Sequence, residues 1–172
     1  MSRPGLTQVH EDLFCEALLK LINTTSADAI MVNEDMKTKI QTVARVLGYK
    51  TESEVAFGRV VTTIGENGVR MVDLKNKYSV SSGAAVRSPI IGVNTREIGG
   101  TSKTGLTDIY AAKFDAYDSL LGVTVAGDKI IDTFMPDFNA PGAIKTGEVE
   151  MIAAVALKNT RNAGVLRNVK II

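Results

Sequence analysis

The sequence contains no tryptophan, one cysteine and one histidine. A single cysteine excludes a disulfide framework within the chain. One Cys and one His cannot fill the four ligand positions of a zinc finger or zinc ribbon. No run of 18 apolar residues is present, so no transmembrane helix is predicted. The opening Met-Ser-Arg-Pro-Gly has no apolar h-region and is not read as a signal peptide. Without secretion the glycosylation pattern at Asn23-Thr24-Thr25 carries no meaning. Neither sign of charge dominates: 20 Lys+Arg face 19 Asp+Glu, a net of +1. A dedicated nucleic-acid binder usually shows a strongly basic domain, so that class is disfavoured. No internal repeat or low-complexity tract is found.

The hydrophobic share is 45% and the charged share 23%, ordinary for a globular chain. Disorder is excluded for most of the 172 residues. The length suits one domain, or one domain with a small annex, with a core that buries roughly 70% of the unfolded surface. Leu6, Val9, Leu13, Ala17 and Leu21 recur at helical spacing and predict an amphipathic helix starting just after Pro4-Gly5. Phe14, Leu18 and Ile22 widen its apolar face, which therefore needs a partner surface. Cys15 falls among these residues and reads as a small buried hydrophobe. Ala27 to Val32 predicts a short buried strand. Asn33 then fits an N-cap, with Glu34 and Asp35 in the first turn of a second helix. That helix presents Met36, Ile40, Val43, Ala44 and Leu47, and Gly48 fits its C-terminal stop.

Beyond Thr51 the pattern turns to β. Phe57 to Ile64 and Val69 to Leu74 flank Gly65-Glu66-Asn67-Gly68, and Asn-Gly favours the type I′ turn of a hairpin. Tyr78 to Ser88 reads as a loop or mobile edge, Pro89 to Val93 as a short strand, and Arg96 to Thr107 as loop-like. Asp108 to Phe114, Gly122 to Val125 and Lys129 to Met135 read as β runs, the last two around Ala126-Gly127-Asp128. Met135 to Gly142 is a proline-bounded loop. Glu148 to Leu157 and Val165 to Ile172 read as closing strands.

Candidate chemistry is sparse. His10 lies five residues before Cys15, which turns the two side chains about 140° apart on a helix. They form no dyad there, and His10 reads as a helix-surface residue. Gly100 and Gly105 have P-loop spacing and Thr107 fills its hydroxyl slot, but Leu106 stands where the phosphate-binding lysine is needed. Residues 108–138 hold six Asp against two Lys, whereas residues 139–172 hold five Lys or Arg against two Glu. The Asp residues lack calcium-loop spacing. Asp115 and Asp118 suit turns, and nothing in the sequence pairs them as acid and base. The charge asymmetry reads either as solvated turns and edges or as complementary surfaces on neighbouring copies. No catalytic, cofactor-binding or metal-ligating residue is therefore assigned.

The order of elements carries a resemblance. A helix ends near Asn23. Ala27-Asp28-Ala29-Ile30-Met31-Val32-Asn33 and a helix follow, then Phe57-Gly58-Arg59-Val60-Val61 and a hairpin into Val69-Arg70-Met71-Val72-Asp73. Gly105-Leu106-Thr107-Asp108-Ile109-Tyr110 and Gly122-Val123-Thr124 come next, and Glu148-Val149-Glu150-Met151 through Ile171 closes the chain. Across nearly its whole length this resembles the C-terminal half of tailed-bacteriophage major capsid proteins, a fold shared with encapsulins. The resemblance implies an α+β fold: the end of a spine helix over residues 1–24, an apical domain over 25–145 with a mixed or antiparallel sheet flanked by helices, and strands over 146–172 returning to a truncated peripheral domain. Ser79 to Ser88 and Arg96 to Thr107 would be apical loops around a five- or six-fold axis.

The family carries an N-terminal arm, an extended hairpin and part of the peripheral domain before the spine helix. The expectation is thus a fragment of a capsid subunit or a naturally short relative. The function implied is that of a self-assembling structural shell subunit, not an enzyme, located in virions assembled in a bacterial cytoplasm. Its partners would be copies of itself or a full-length capsid protein, with no cofactor, small-molecule substrate, specific nucleic acid or membrane. Two alternatives stand beside it: a capsid-derived regulator of shell assembly, and a phosphate- or nucleotide-binding protein using Gly99 to Thr107.

Overall fold

A computed structural model of the protein describes residues 8–47, 51–56, 59–64, 68–81, 84–125, 130–136, 141–144 and 146–171. The first element is helix α1 (Gln8–Thr25). Its predicted start at Pro4-Gly5, with Leu6, lies outside the described residues, as do the side chains of Val9 and His10. Cys15, Leu18 and Ile22 are buried on one side of the helix, whereas Leu13 of the expected stripe is more than half exposed, so the packing face is turned toward Phe14, Leu18 and Ile22. Thr25 closes the helix by donating its hydroxyl to the Leu21 carbonyl at 2.8 Å.

Strand β1 (Ala29–Val32) follows and runs into α2 (Glu34–Leu47). Asn33 caps α2 as its sequence position predicts. Its Oδ1 accepts from the Met36 amide at 2.8 Å, satisfying a donor that the helix cannot satisfy internally. Met36, Ile40, Val43 and Ala44 are buried. Gly48, the expected stop, lies outside the described residues.

Strands β2 (Thr51–Ala56), β3 (Arg59–Ile64) and β4 (Val69–Asp73) come next. The predicted hairpin is present, with Ile64 opposite Val69. Its Gly65 to Asn67 turn and the Phe57-Gly58 pair lie outside the described residues. The ribbon of β5 (Asn76–Ser81) and β6 (Ala84–Pro89) corrects the loop expected over Tyr78 to Ser88. Pro89 ends β6, and residues 90–93 are bends and coil, not the expected strand.

Arg96 to Thr107 is likewise a hairpin instead of a loop. Strand β7 (Asn94–Ile98) pairs antiparallel with β8 (Thr101–Ala112). Only Gly99 and Gly100 separate them, with φ of 59° and 74°. Two successive left-handed residues make the tight turn that matches strand twist, and glycine adopts both without a Cβ clash.

Strands β9 (Leu120–Thr124), β10 (Ile131–Phe134), β11 (Glu148–Met151) and β12 (Ala153–Leu157) follow. The Ala126-Gly127-Asp128 turn lies outside the described residues. The Glu148 to Leu157 run is β as expected, interrupted at Ile152. A single 3₁₀ turn (Thr160–Asn162) leads to β13 (Ala163–Lys170).

Seven strands form one mixed sheet in the order β13-β8-β1-β4-β3-β2, with β7 also on β8. The β1–β4 pair is parallel and the others are antiparallel. Period-two alternation sends Ile30, Val32, Met71, Ile109 and Ala111 to one face, where Leu18 and Ile22 of α1 and Met36 and Ile40 of α2 cover them. Gly164 lies opposite Ala111 on that face. A Cβ there would come within 2.8 Å of Leu21 and Thr25, so the missing side chain lets α1 rest directly on β13. Lys39 of α2 clamps the end of β13, donating to the Lys170 and Ile171 carbonyls at 2.8 Å each.

Candidate assembly surface

The residues singled out for chemistry are used to hold the fold. Thr107, the hydroxyl of the P-loop-like segment, is fully buried in β8. It donates to the Gly92 carbonyl at 3.1 Å and accepts from Asn33 Nδ2 at 3.0 Å. The segment is an extended strand, and no helix follows Thr107, so the cradle of amides that binds phosphate is absent from it. Asp115 takes the expected turn role, accepting from the Tyr117 amide at 3.0 Å. Asp118 accepts from the Ser119 hydroxyl at 3.0 Å.

A polar knot that sequence reasoning missed closes one end of the sheet. Arg96 meets Asp108 in a two-pronged pair, both contacts at 2.7 Å. Asp108 also accepts from the Asn168 amide at 3.0 Å, and Arg96 donates to the Asn168 side chain at 2.8 Å. Asn168 sits at a bulge in β13 with φ of 60°, which turns its amide inward. Hydrogen bonds from Arg96 hold the Asp108 carboxyl below its usual range against the opposing effect of burial, helped by the Asn168 amide and the positive charge. A second pair, Asp73 with Lys75, follows β4. Burial would raise the Asp73 carboxyl, but the Lys75 ammonium and amide outweigh it and leave it lowered.

Among the described residues no three His, Cys, Asp or Glu side chains gather to hold a metal, and no helix is long and apolar enough to cross a membrane. An open cleft of about 910 Å³ lies where α1 ends beside β1 and β4. Asp28 and Arg70 are the ionisable residues on its lining, and Asp28 already accepts from the Phe114 amide at 2.9 Å.

The conspicuous open surfaces are apolar instead. The sheet face opposite the helices carries a row of directly paired side chains, Val72, Met31, Tyr110 and Val165, across β4, β1, β8 and β13. Val72, Tyr110 and Val165 are each about two-fifths exposed. A larger surface belongs to residues 120–157, here called the arm. β9 pairs with β12, and β10 pairs with β11 inside that frame, giving two successive ribbons. No described residue of the arm is buried.

In the outer ribbon Ile131 faces Met151 and Thr133 faces Val149, while Asp132 faces Glu150 and Phe134 faces Glu148. Paired residues share a face, so one side is apolar and the other carries all three carboxylates. The inner ribbon has no charged residue. Val149 is 70% exposed and Val155 73%. Monomeric soluble proteins rarely expose large contiguous apolar patches, and such patches mark contact sites.

No protein-family model matches the chain, and no curated protein sequence matches it. Among solved structures, the chain is similar to the SrpI encapsulin of Synechococcus elongatus PCC 7942 in its holo complex, with a TM-score of 0.58 and 14% identity. The match covers 99% of this chain and 52% of the encapsulin, so the chain spans about half the length of that protein. The mixed α+β architecture described above is thus a capsid-like fold, shared with about half of that encapsulin.

Proposed function

We propose that the protein is a self-assembling shell subunit of the phage-capsid type, structural and not enzymatic. The observation that carries this reading is the pairing of a capsid-like fold with an arm whose apolar side has no cover among the described residues. Burying such a face contributes roughly 25 cal/mol per Å², and an identical copy arranged by rotational symmetry supplies the cover repeatedly. In this reading α1 is the end of a spine helix. The β5–β6 and β7–β8 ribbons are apical elements near a symmetry axis, and β13 returns toward the peripheral part. Partners are copies of the chain or a longer capsid protein, in a virion assembled in bacterial cytoplasm.

Sedimentation of the full chain across concentration and salt tests the reading. A growing series of oligomers or closed shells supports it. A strict monomer in all conditions removes it. Co-sedimentation only with a full-length capsid protein would favour the assembly-regulator alternative instead.

A further inference from the structure

We infer that the carboxylate side of the outer arm ribbon, β10–β11, docks on the Tyr78–Arg87 face of the β5–β6 ribbon of a second copy, so that each chain gives one ribbon and receives the other. The inference rests on the shell-subunit reading and specifies one of its contacts. The register places Tyr78 of β5 directly opposite Arg87 of β6. It places Phe134 of β10 directly opposite Glu148 of β11, and Asp132 opposite Glu150 two residues along. Paired residues share a face, so Tyr78 stands beside Arg87, and Phe134 stands beside all three carboxylates. Tyr78 is 70% exposed and Phe134 55%, so each face carries an open aromatic ring next to its charge. Arg87, Glu148 and Glu150 are exposed as well.

Charge selects the occupant. Strands β5 and β6 carry Lys77 and Arg87 and no acid, whereas β10 and β11 carry Asp132, Glu148 and Glu150 and no base. The β2–β3 and β7–β8 ribbons mix both signs, and β9–β12 has neither. The Asn76 amide, turned to suit its neighbours, accepts from Arg87 Nε at 2.8 Å, which aims the guanidinium without neutralising it. Among the described residues no carboxylate pairs with Arg87, and no cation pairs with Asp132, Glu148 or Glu150. Arginine grips a carboxylate with two parallel hydrogen bonds, and Tyr and Arg are favoured at the centre of interfaces. Laying two carboxylate sides together, or two Arg87 faces, sets like charges against each other. The crossed pairing sets opposite charges together and orients the encounter. Because the two patches differ, the contact is heterologous and propagates around a ring. Lys77 lies on the other face of β5–β6. Ile131, Val149 and Met151 lie on the other side of β10–β11, left for the apolar cover described above.

Charge exchange in the full chain tests this by sedimentation. Arg87→Glu and Glu148→Arg are each expected to weaken association about tenfold or more, with the melting temperature unchanged. Mixed in equal amounts, the two variants are expected to associate again, because each carries the ribbon that suits the other. A chain carrying both changes is expected to recover most of the wild-type association. Lys77→Glu, on the opposite face of β5–β6, is expected to weaken association far less than Arg87→Glu. Independently, a short bismaleimide is expected to join a Tyr78→Cys chain to a Phe134→Cys chain in preference to either homodimer. The wild type, whose Cys15 is buried, is the blank.

Single variants that associate as well as wild type, or losses repaired neither by mixing nor by combining the changes, would overturn the inference while leaving the shell-subunit reading intact. So would preferred homodimers of either cysteine chain. Loss with Arg87→Glu but not with Glu148→Arg would show that the β5–β6 ribbon meets something other than the arm, nucleic acid included, and would overturn it too. A wild-type chain that sediments as a monomer in all conditions would overturn both the inference and the reading it rests on.

Discussion

The sheet with its two helices and the arm are built from the same residue types but satisfy them differently. In the first region Ile30, Val32, Met71 and Ile109 are enclosed by α1 and α2 within the chain. In the arm Val149, Met151, Val155 and Ile131 are more than half exposed. Both regions are built from paired strands, so strand formation does not distinguish them. The difference shows that one part of this chain covers its apolar side chains with its own helices, and in the proposed reading the other part is finished by another molecule.

The comparison sharpens most with paired truncations. Ile109→Ala removes a fully buried side chain and is expected to cost about 2–5 kcal/mol by urea unfolding. The like change in the arm, Ile131→Ala, is expected to stay within about 0.5 kcal/mol in dilute protein, because its site is already hydrated. Equal costs would mean that the arm packs on its own chain.

A smaller effect comes from the polar knot. Asp108→Ala leaves the carboxylate's partners without it and is expected to cost about 2 kcal/mol, read as a lower melting temperature. The wild-type pair also sets an acid limit. The folded carboxyl is lowered from 3.8, so its contribution is full above about pH 4. It is lost as pH falls below that value through the folded-state pKa. Stability of Asp108→Asn is expected to fall less steeply in that window than wild type, and parallel acid profiles would contradict the assignment.

Gly164→Ala probes the close approach of α1 to β13. Its Cβ must displace the tips of Leu21 and Thr25, at an expected cost of about 1 kcal/mol. The same substitution at Gly122 of β9 meets no atom within 4 Å and is expected to be neutral by thermal melt. A cost at both positions, or at neither, would blur the two regions.

What was legible in the sequence follows the same division. Residues 8–47 were readable because local signals agree: a helical stripe through Leu18 and Ile22, a short apolar strand, and Asn33 at the cap. The β5–β6 ribbon and the outer half of β8 escaped because Lys77, Tyr78, Val86 and Arg87, like Thr101 to Thr104, are exposed on both sides of their strands, so no apolar alternation marks them. Gly99-Gly100 was the available signal for the second hairpin.

The Arg96–Asp108 pair was hidden because it needs that hairpin and a bulge at Asn168 of β13, sixty residues beyond Asp108, to assemble. The nesting of β10–β11 inside β9–β12 was equally out of reach, since no local pattern fixes long-range register. The arm's unequal charge was visible in the sequence, but its apolar side needed the register of β10 against β11 to appear.

Hydrogen exchange of the full chain at low and high protein concentration tests the division directly. Amides of β1 and β8 are expected to be protected equally at both, while those of β9 through β12 gain protection only as copies associate. Arm amides that are as protected in dilute monomer as in concentrated protein, or that stay unprotected in both, would contradict the account.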